Sequence, residues 1–258
     1  MTRIYSLLPE RIVQMEMIQK ENAVIRELEK YSSHVIANCV QKGNGGAELF
    51  DVFRDKWFTD ASLKVQFPEF GSRAGYAVTM RVGLPVEGYK PPTRAELLKL
   101  IDASPKPVVL VMQVDEPKEM RLSDSNFGGQ FGYLCQKLGM ESLICDGAIR
   151  DIKELHDFGI QLMIPGSIAA TAPSVIYELN GTVTVGGMEV SAGDVVFMDQ
   201  DGALKIQAKS VEKVLDCAKK TKAGNIDPNK KLTLDECLKI FSAMGAHSEP
   251  DEENSEQP

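Results

Sequence analysis

The hexapeptide Asp146-Gly147-Ala148-Ile149-Arg150-Asp151 places a guanidinium beside a carboxylate. The apolar run Ser142-Leu143-Ile144-Cys145 before it reads as a buried strand. Ile152-Lys153-Glu154-Leu155 after it reads as the first turn of a helix. The pair therefore falls at the carboxyl end of a strand, where open α/β sheets place ligands. A carboxylate there suits a hard divalent cation, and the guanidinium suits a substrate carboxylate. The same residues also fit an ordinary helix start, with Asp151 as N-cap and Glu154 as capping-box partner. Both readings are carried forward.

Eighteen residues before Asp146, Gly128-Gly129-Gln130-Phe131-Gly132 reads as a glycine loop feeding a helix that Gly139 ends. Bare backbone N–H groups at a helix N-terminus favour an anion. Loop, helix, strand and Arg-Asp pair thus form one unit with two anion-friendly elements at the same end. Farther on come Gly186-Gly187, Ala192-Gly193-Asp194 and Asp199-Gln200-Asp201-Gly202.

This order of motifs resembles the family of RraA-like proteins and 4-hydroxy-4-methyl-2-oxoglutarate aldolases, over about Gly75 to Ile206. The resemblance implies a compact α/β/β/α swivelling-domain-like fold with flanking helices. It implies a metal-dependent retro-aldol cleavage of a 4-hydroxy-2-oxo diacid to pyruvate, with oxaloacetate decarboxylation as a related reaction. By position, Arg150 is the catalytic and substrate-binding residue, and Asp151 holds Mg²⁺ or Mn²⁺. The backbone of Gly128, Gly129, Gln130 and Phe131 takes the pyruvyl carboxylate. The family also holds ribonuclease E inhibitors that lack the metal aspartate, so a non-catalytic regulator is the competing class. A sulfonium-dependent methyltransferase, an old label among relatives, finds no acidic residue in the right context near a G-x-G loop. The chain departs from the family pattern in four places: Gly129 stands where many catalytic relatives carry an acid or amide, Ala192 replaces a proline, Gly43–Ser72 is longer than the usual connection, and Ser32–Asn38 matches the family's early helix only loosely.

The flanking elements must position this unit. Ala74–Leu84 reads as a strand, and Thr93 with Glu96 forms a capping box opening the helix Arg94–Asp102. Pro107–Val114 and Gln161–Ile164 read as buried strands, and Asp151–Asp157 as a helix. Thr182–Val190 alternates around Gly186-Gly187, a two-residue hairpin signal. Val195–Met198 and Ala203–Ile206 read as strands joined at Asp201-Gly202. Helical spacing marks Pro9–Lys30, Ser32–Gln41 and Ser210–Lys220, and Thr233 with Glu236 caps one more helix. Gly43–Ser72, with the lone Trp57, gives no clear pattern.

At 258 residues and 43% hydrophobic, the chain can bury a good core. The expected organisation is one domain over 1–245 and a disordered acidic tail over 246–258. A net charge of −8 argues against nucleic acid as a ligand, and the lysines Lys219, Lys220, Lys222, Lys230 and Lys231 read as a solvated face. No apolar run approaches the ~20 residues of a membrane span. Five scattered cysteines without metal-ligand spacing read as buried thiols, and so as a cytoplasmic protein. No general base lies within the Arg-Asp unit. With the family resemblance, this implies a homotrimer or hexamer whose sites are completed by a neighbouring subunit.

Overall fold

The computed structural model describes residues 23–171, 173–221 and 231–243. Residues 9–22 of the expected first helix, Lys222, Lys230 and the acidic tail lie outside them. The chain divides into two compact units, residues 1–221 and 222–258.

The first unit is built on a long central strand. Residues 23–28 are helical (α1), followed by α2 (Ser33–Val40) and the short edge strand β1 (Lys64–Val65). Then come β2 (Arg73–Gly83), α3 (Arg94–Ala103), β3 (Val108–Val114), α4 (Lys118–Arg121), α5 (Gly129–Lys137), β4 (Met140–Cys145), α6 (Ile152–Asp157) and β5 (Gln161–Ile164). The chain continues through β6 (Val175–Leu179), β7 (Val183–Val185), β8 (Met188–Val190), β9 (Val195–Asp199), β10 (Gly202–Ile206) and α7 (Val211–Lys220). β2, β3, β4 and β5 run parallel. Parallel neighbours need long crossovers, here the helices α3 to α6. On its other edge β2 pairs antiparallel with β9 along its first half and with β6 along its second.

The parallel strands are buried on both faces, which is why they read as near-continuous apolar runs. Alternation still sorts the side chains. Val78, Met80, Leu110, Met112, Leu143 and Cys145 pack with Leu97 and Ile101 of α3, Cys135 of α5 and Leu155 of α6. Ala77, Val109, Val111 and Ile144 face the other way, onto Val183, Val185, Met188 and Val190 of the hairpin. The layers are thus helices, central sheet and hairpin. A third cluster packs α1, α2 and α7 on Tyr76, Phe197, Leu204 and Ile206, and Trp57 belongs to it.

Glycine serves close approach at α5. A Cβ at Gly132 would run into the Leu155 side chain, so the bare backbone lets α5 and α6 meet. Leu155 is fully buried, which contributes about 2 kcal/mol to holding α6 in place.

Two expectations need correction. Cys39 on α2 and Cys217 on α7 are joined as a disulfide rather than being free thiols. The expectation failed because partners 178 residues apart in sequence meet only when α2 packs against α7. Disulfides persist mainly in oxidising compartments, so cysteine usage no longer supports a cytoplasmic location. Cys135 and Cys145 are buried and free, and burial pushes the Cys135 thiol up to about 12 and Cys145 higher still. Cys237 is exposed. The second correction concerns the β9–β10 turn: Asp199 pairs with Gly202, so Gln200-Asp201 form the turn and Gly202 opens β10. No helix among the described residues is long and apolar enough to cross a membrane.

The described part of the second unit holds α8 (Leu234–Ala243). Its capping box is formed: the Thr233 N–H donates to Glu236 Oε2 at 2.9 Å, and the Glu236 N–H donates to Thr233 Oγ1 at 3.3 Å. The C-terminal helix of the expected 1–245 domain therefore falls in this unit.

Candidate active site

Three segments meet beyond the carboxyl ends of β3, β4 and β5. Residues 146–151 are threaded between the other two: Ser125 bridges Ala148, and Ile149 bridges Ser167. The Arg150 N–H donates to Phe127 O at 3.3 Å, and the Ile149 N–H donates to Gly166 O at 3.2 Å. These bonds satisfy buried backbone groups and hold the loop without regular structure.

Asp151 occupies the N-cap position of α6 but does not cap the helix with its side chain. Its backbone is left-handed, φ 60° and ψ 37°. Among the described non-glycine residues only Glu48, Asp151 and Asn180 have positive φ. The twist turns the carboxylate away from α6 and across to α5, where Oδ2 accepts from the Gly129 N–H at 2.9 Å. Left-handed backbone costs an L-residue roughly 1 kcal/mol, and such outliers gather at functional sites. Glu154 also leaves its capping-box role. Its carboxylate occupies the place that a Cβ on Gly129 would take. A Cβ on Gly128 would stand 2.5 Å from Asp151 Oδ2 and 3.1 Å from Arg150 Nε. The glycine pair is therefore a bare cradle under two carboxylates and a guanidinium.

Arg150 Nε lies 3.4 Å from Asp151 Oδ2, with side chains 42% and 35% exposed. An ion pair this open contributes about 0–1 kcal/mol to folding. Fold stability therefore does not account for the arrangement.

A cavity of about 290 Å³ opens here, lined by Gly128, Gln130, Phe131, Arg150 and Asp151 among others. Gly129 does not line it, and its N–H is taken by Asp151. Gln130 and Phe131 stand in the first turn of α5, where N–H groups have no acceptor within the helix. Sequence reading missed Arg94 and Thr171, which also line the cavity. The Thr93–Glu96 box places Arg94 at the start of α3, but not over Phe131.

Asp146 turns away from this cavity. It accepts from the Val114 N–H at 2.7 Å and pairs with Arg121 Nη1 at 2.6 Å, tying β4 to β3 and α4. Burial pushes its carboxyl above the usual aspartate range, against the Val114 bond and Arg121. A larger cavity of about 540 Å³ lies on that side, against the hairpin, and lacks Arg150 and Asp151.

Beyond β3, Glu116 is buried and its carboxylate oxygens have no hydrogen-bond partner among the described residues. Burial raises its pKa, and the Asp124 charge adds to this. An acid raised in the folded state weakens folding once pH exceeds its ordinary range, and the penalty vanishes below that range. Glu116→Gln should therefore raise Tm at pH 7 by about 2–4 °C, taking about 1 kcal/mol as the relief. The two melting curves should converge near pH ~4. Thermal melts across that window check this, and a variant less stable than the parent at pH 7 would contradict it.

The fold and cavity together define an α/β protein in which an arginine, an aspartate and the first turn of a helix line one cavity. The sequence profile of the RraA-like family (Aldolase/RraA) matches residues 46–204, and the chain belongs to that family. A Halalkalibacterium halodurans protein named "Putative 4-hydroxy-4-methyl-2-oxoglutarate aldolase" is 29% identical over 132 residues, 51% of this chain and 60% of that protein. An Arabidopsis thaliana protein with the same name, numbered 3, is 30% identical over 78 residues, 30% of this chain and 47% of that protein. The chain thus spans less than two thirds of either relative. Among solved structures, Streptomyces coelicolor RraAS2, titled an unusual member of the RNase ES inhibitor RraA family, superposes with a TM-score of 0.58 at 18% identity. That match covers 86% of this chain and 96% of the other. A structure titled as novel cellulases from gut-associated microbes gives 0.62 at 16% identity, over 76% and 82%. At such identities these two likenesses establish the fold alone.

Proposed function

We propose that the chain is a divalent-metal-dependent carbon–carbon lyase that cleaves a 4-hydroxy-2-oxo diacid, such as 4-hydroxy-4-methyl-2-oxoglutarate, to pyruvate. Oxaloacetate decarboxylation is the related reaction. The observation that carries this reading is the left-handed Asp151, whose carboxylate stands beside Arg150 at the mouth of an anion-friendly cavity. A ribonuclease regulator has no need of that carboxylate.

The residues fit a hard cation. Among the described residues no group of three or more His, Cys, Asp or Glu forms a metal cage. Mg²⁺ needs none, because it commonly keeps several waters and takes one or two carboxylates. Asp151 would hold it, with Glu154 the neighbouring oxygen donor over the Gly128-Gly129 cradle. When bound, the cation supplies Lewis acidity toward the 2-oxo and carboxylate oxygens.

The protein's own groups do the rest. The first-turn N–H groups of Gln130 and Phe131 bind the C1 carboxylate. Arg150 neutralises charge that builds on the 2-oxo oxygen. The 4-hydroxyl loses its proton, the C3–C4 bond breaks, and its electron pair passes to C3 as the enolate of pyruvate. C4 leaves as a carbonyl, and a proton at C3 completes pyruvate.

The test is pyruvate release from a panel of 4-hydroxy-2-oxo acids and oxaloacetate, with Mg²⁺, with Mn²⁺ and with chelator. Release that requires metal is expected. No release from any member of the panel, with either metal, would overturn the proposal.

We also propose a trimer or dimer of trimers, with a neighbouring subunit completing each site. Light scattering under assay conditions should show no active monomer. A fully active monomer would refute the shared site.

A further inference from the structure

The cavity holds a second guanidinium that the proposed chemistry leaves unused. Arg94 is the first residue of α3, and the Thr93–Glu96 capping box fixes that helix start. Its guanidinium lies over the Phe131 ring, with Cζ 5.3 Å from the centroid. Such stacking restrains a planar guanidinium and leaves its N–H fork free to face a carboxylate. Arg94 makes no ion pair among the described residues.

Arg94, Arg150, Phe127, Phe131 and Leu134 all line this cavity. Its charged lining is two arginines and Asp151, a positive balance that suits a dianion. Phe127 and Phe131 meet edge to face, with centroids 5.6 Å apart, and with Leu134 they give the cavity an apolar wall. At about 290 Å³, the space is on the order of 8 Å across, at the small end for ligand sites. A five-carbon diacid spans roughly 5 Å between its carboxyl carbons, from bonds of about 1.5 Å.

We propose that Arg94 is a binding residue for the distal carboxylate, so that the cavity selects short dicarboxylates over monocarboxylates. One end of the ligand sits at Arg150 and the start of α5. Its carbon chain lies along Phe131, and its far carboxylate meets the Arg94 fork. The inference rests on the oxo-acid reading of the cavity, and it adds the residue that measures ligand length.

The experiment is calorimetric titration of the full chain in Mg²⁺ with two probes that share a 2-oxo acid head. Pyruvate carries one carboxylate, and 2-oxoglutarate adds the distal one. Arg94→Met keeps an apolar side chain over Phe131 and removes the charge, and Arg94→Lys keeps a charge without the fork. Thermal melts confirm that each variant is folded. The parent should prefer 2-oxoglutarate. Arg94→Met should weaken 2-oxoglutarate about 10- to 100-fold, the range for hydrogen bonds to charged groups. Pyruvate should change by less than about 2-fold, because that end of the ligand keeps its partners. Arg94→Lys should fall between. Equal losses for both probes, or no loss for either, would overturn the proposal, as would a parent that binds neither. If Arg94-dependent binding is found in a protein that releases no pyruvate from any substrate, the subsite stands and the lyase reading falls. If pyruvate is released from the diacid with the same kcat/KM in parent and Arg94→Met, Arg94 alone loses its role.

Discussion

Asp151→Asn should lower metal-stimulated pyruvate release by about 10²- to 10³-fold, the scale of losing one charge-stabilising group. The protein should remain folded. Asparagine tolerates left-handed backbone nearly as well as aspartate, and its amide oxygen can still accept from the Gly129 N–H that Asp151 now engages. Only the negative charge is lost, and with it the attraction for a hard cation. Asp151→Ala should lose activity to the same degree and in addition melt lower. It forfeits the hydrogen bond, about 1 kcal/mol, and puts an alanine at φ 60°. Steady-state assays with and without Mg²⁺, beside thermal melts, separate the two effects. An Asp151→Asn enzyme with full metal-dependent turnover would return Asp151 to a structural part.

Arg150→Lys should lower kcat/KM for the oxo-acid substrate about 10- to 100-fold, from a loss of about 1.5–3 kcal/mol per charged hydrogen bond. A lysine keeps the charge but not the two parallel donors that match a carboxylate. Stability should hardly change, because the pair is more than a third exposed on each side and its Nε lies 3.4 Å from Asp151. If Arg150 acts on charge that develops during bond breaking, kcat falls with kcat/KM. A rise in KM alone would make it a ground-state binding residue. Unchanged kinetics would leave it a surface arginine.

The two variants probe residues that sequence reading had already paired with the glycine loop. What the local pattern left open about Asp151 was direction. Ser, Thr, Asp or Asn before an amphipathic run is a helix start in most chains, and Glu three residues later reinforces it. At Thr93–Glu96 and Thr233–Glu236 that rule holds, with both reciprocal bonds formed. At Asp151–Glu154 it fails, because the loop is clamped on both sides by Phe127 and Gly166 and the backbone is forced to positive φ. A local pattern carries no record of such clamps.

By itself the sequence determined the separate elements: apolar runs marked Pro107–Val114 and Gln161–Ile164 as buried strands, and alternation marked the Thr182–Val190 hairpin. The layered α/β architecture came from the resemblance that the motif order carries. The sequence also determined the order of glycine loop, helix, strand and Arg-Asp pair, since these are contiguous within 24 residues, 128 to 151. Tertiary structure alone decided the rest. It turned Asp146 toward Arg121 and Asp151 toward Gly129. It brought Arg94 over Phe131 and Cys39 to Cys217. Each of these depends on a contact between residues distant in sequence or on a loop dihedral. Both are set by how the layers pack, and neither leaves a periodic signal along the chain.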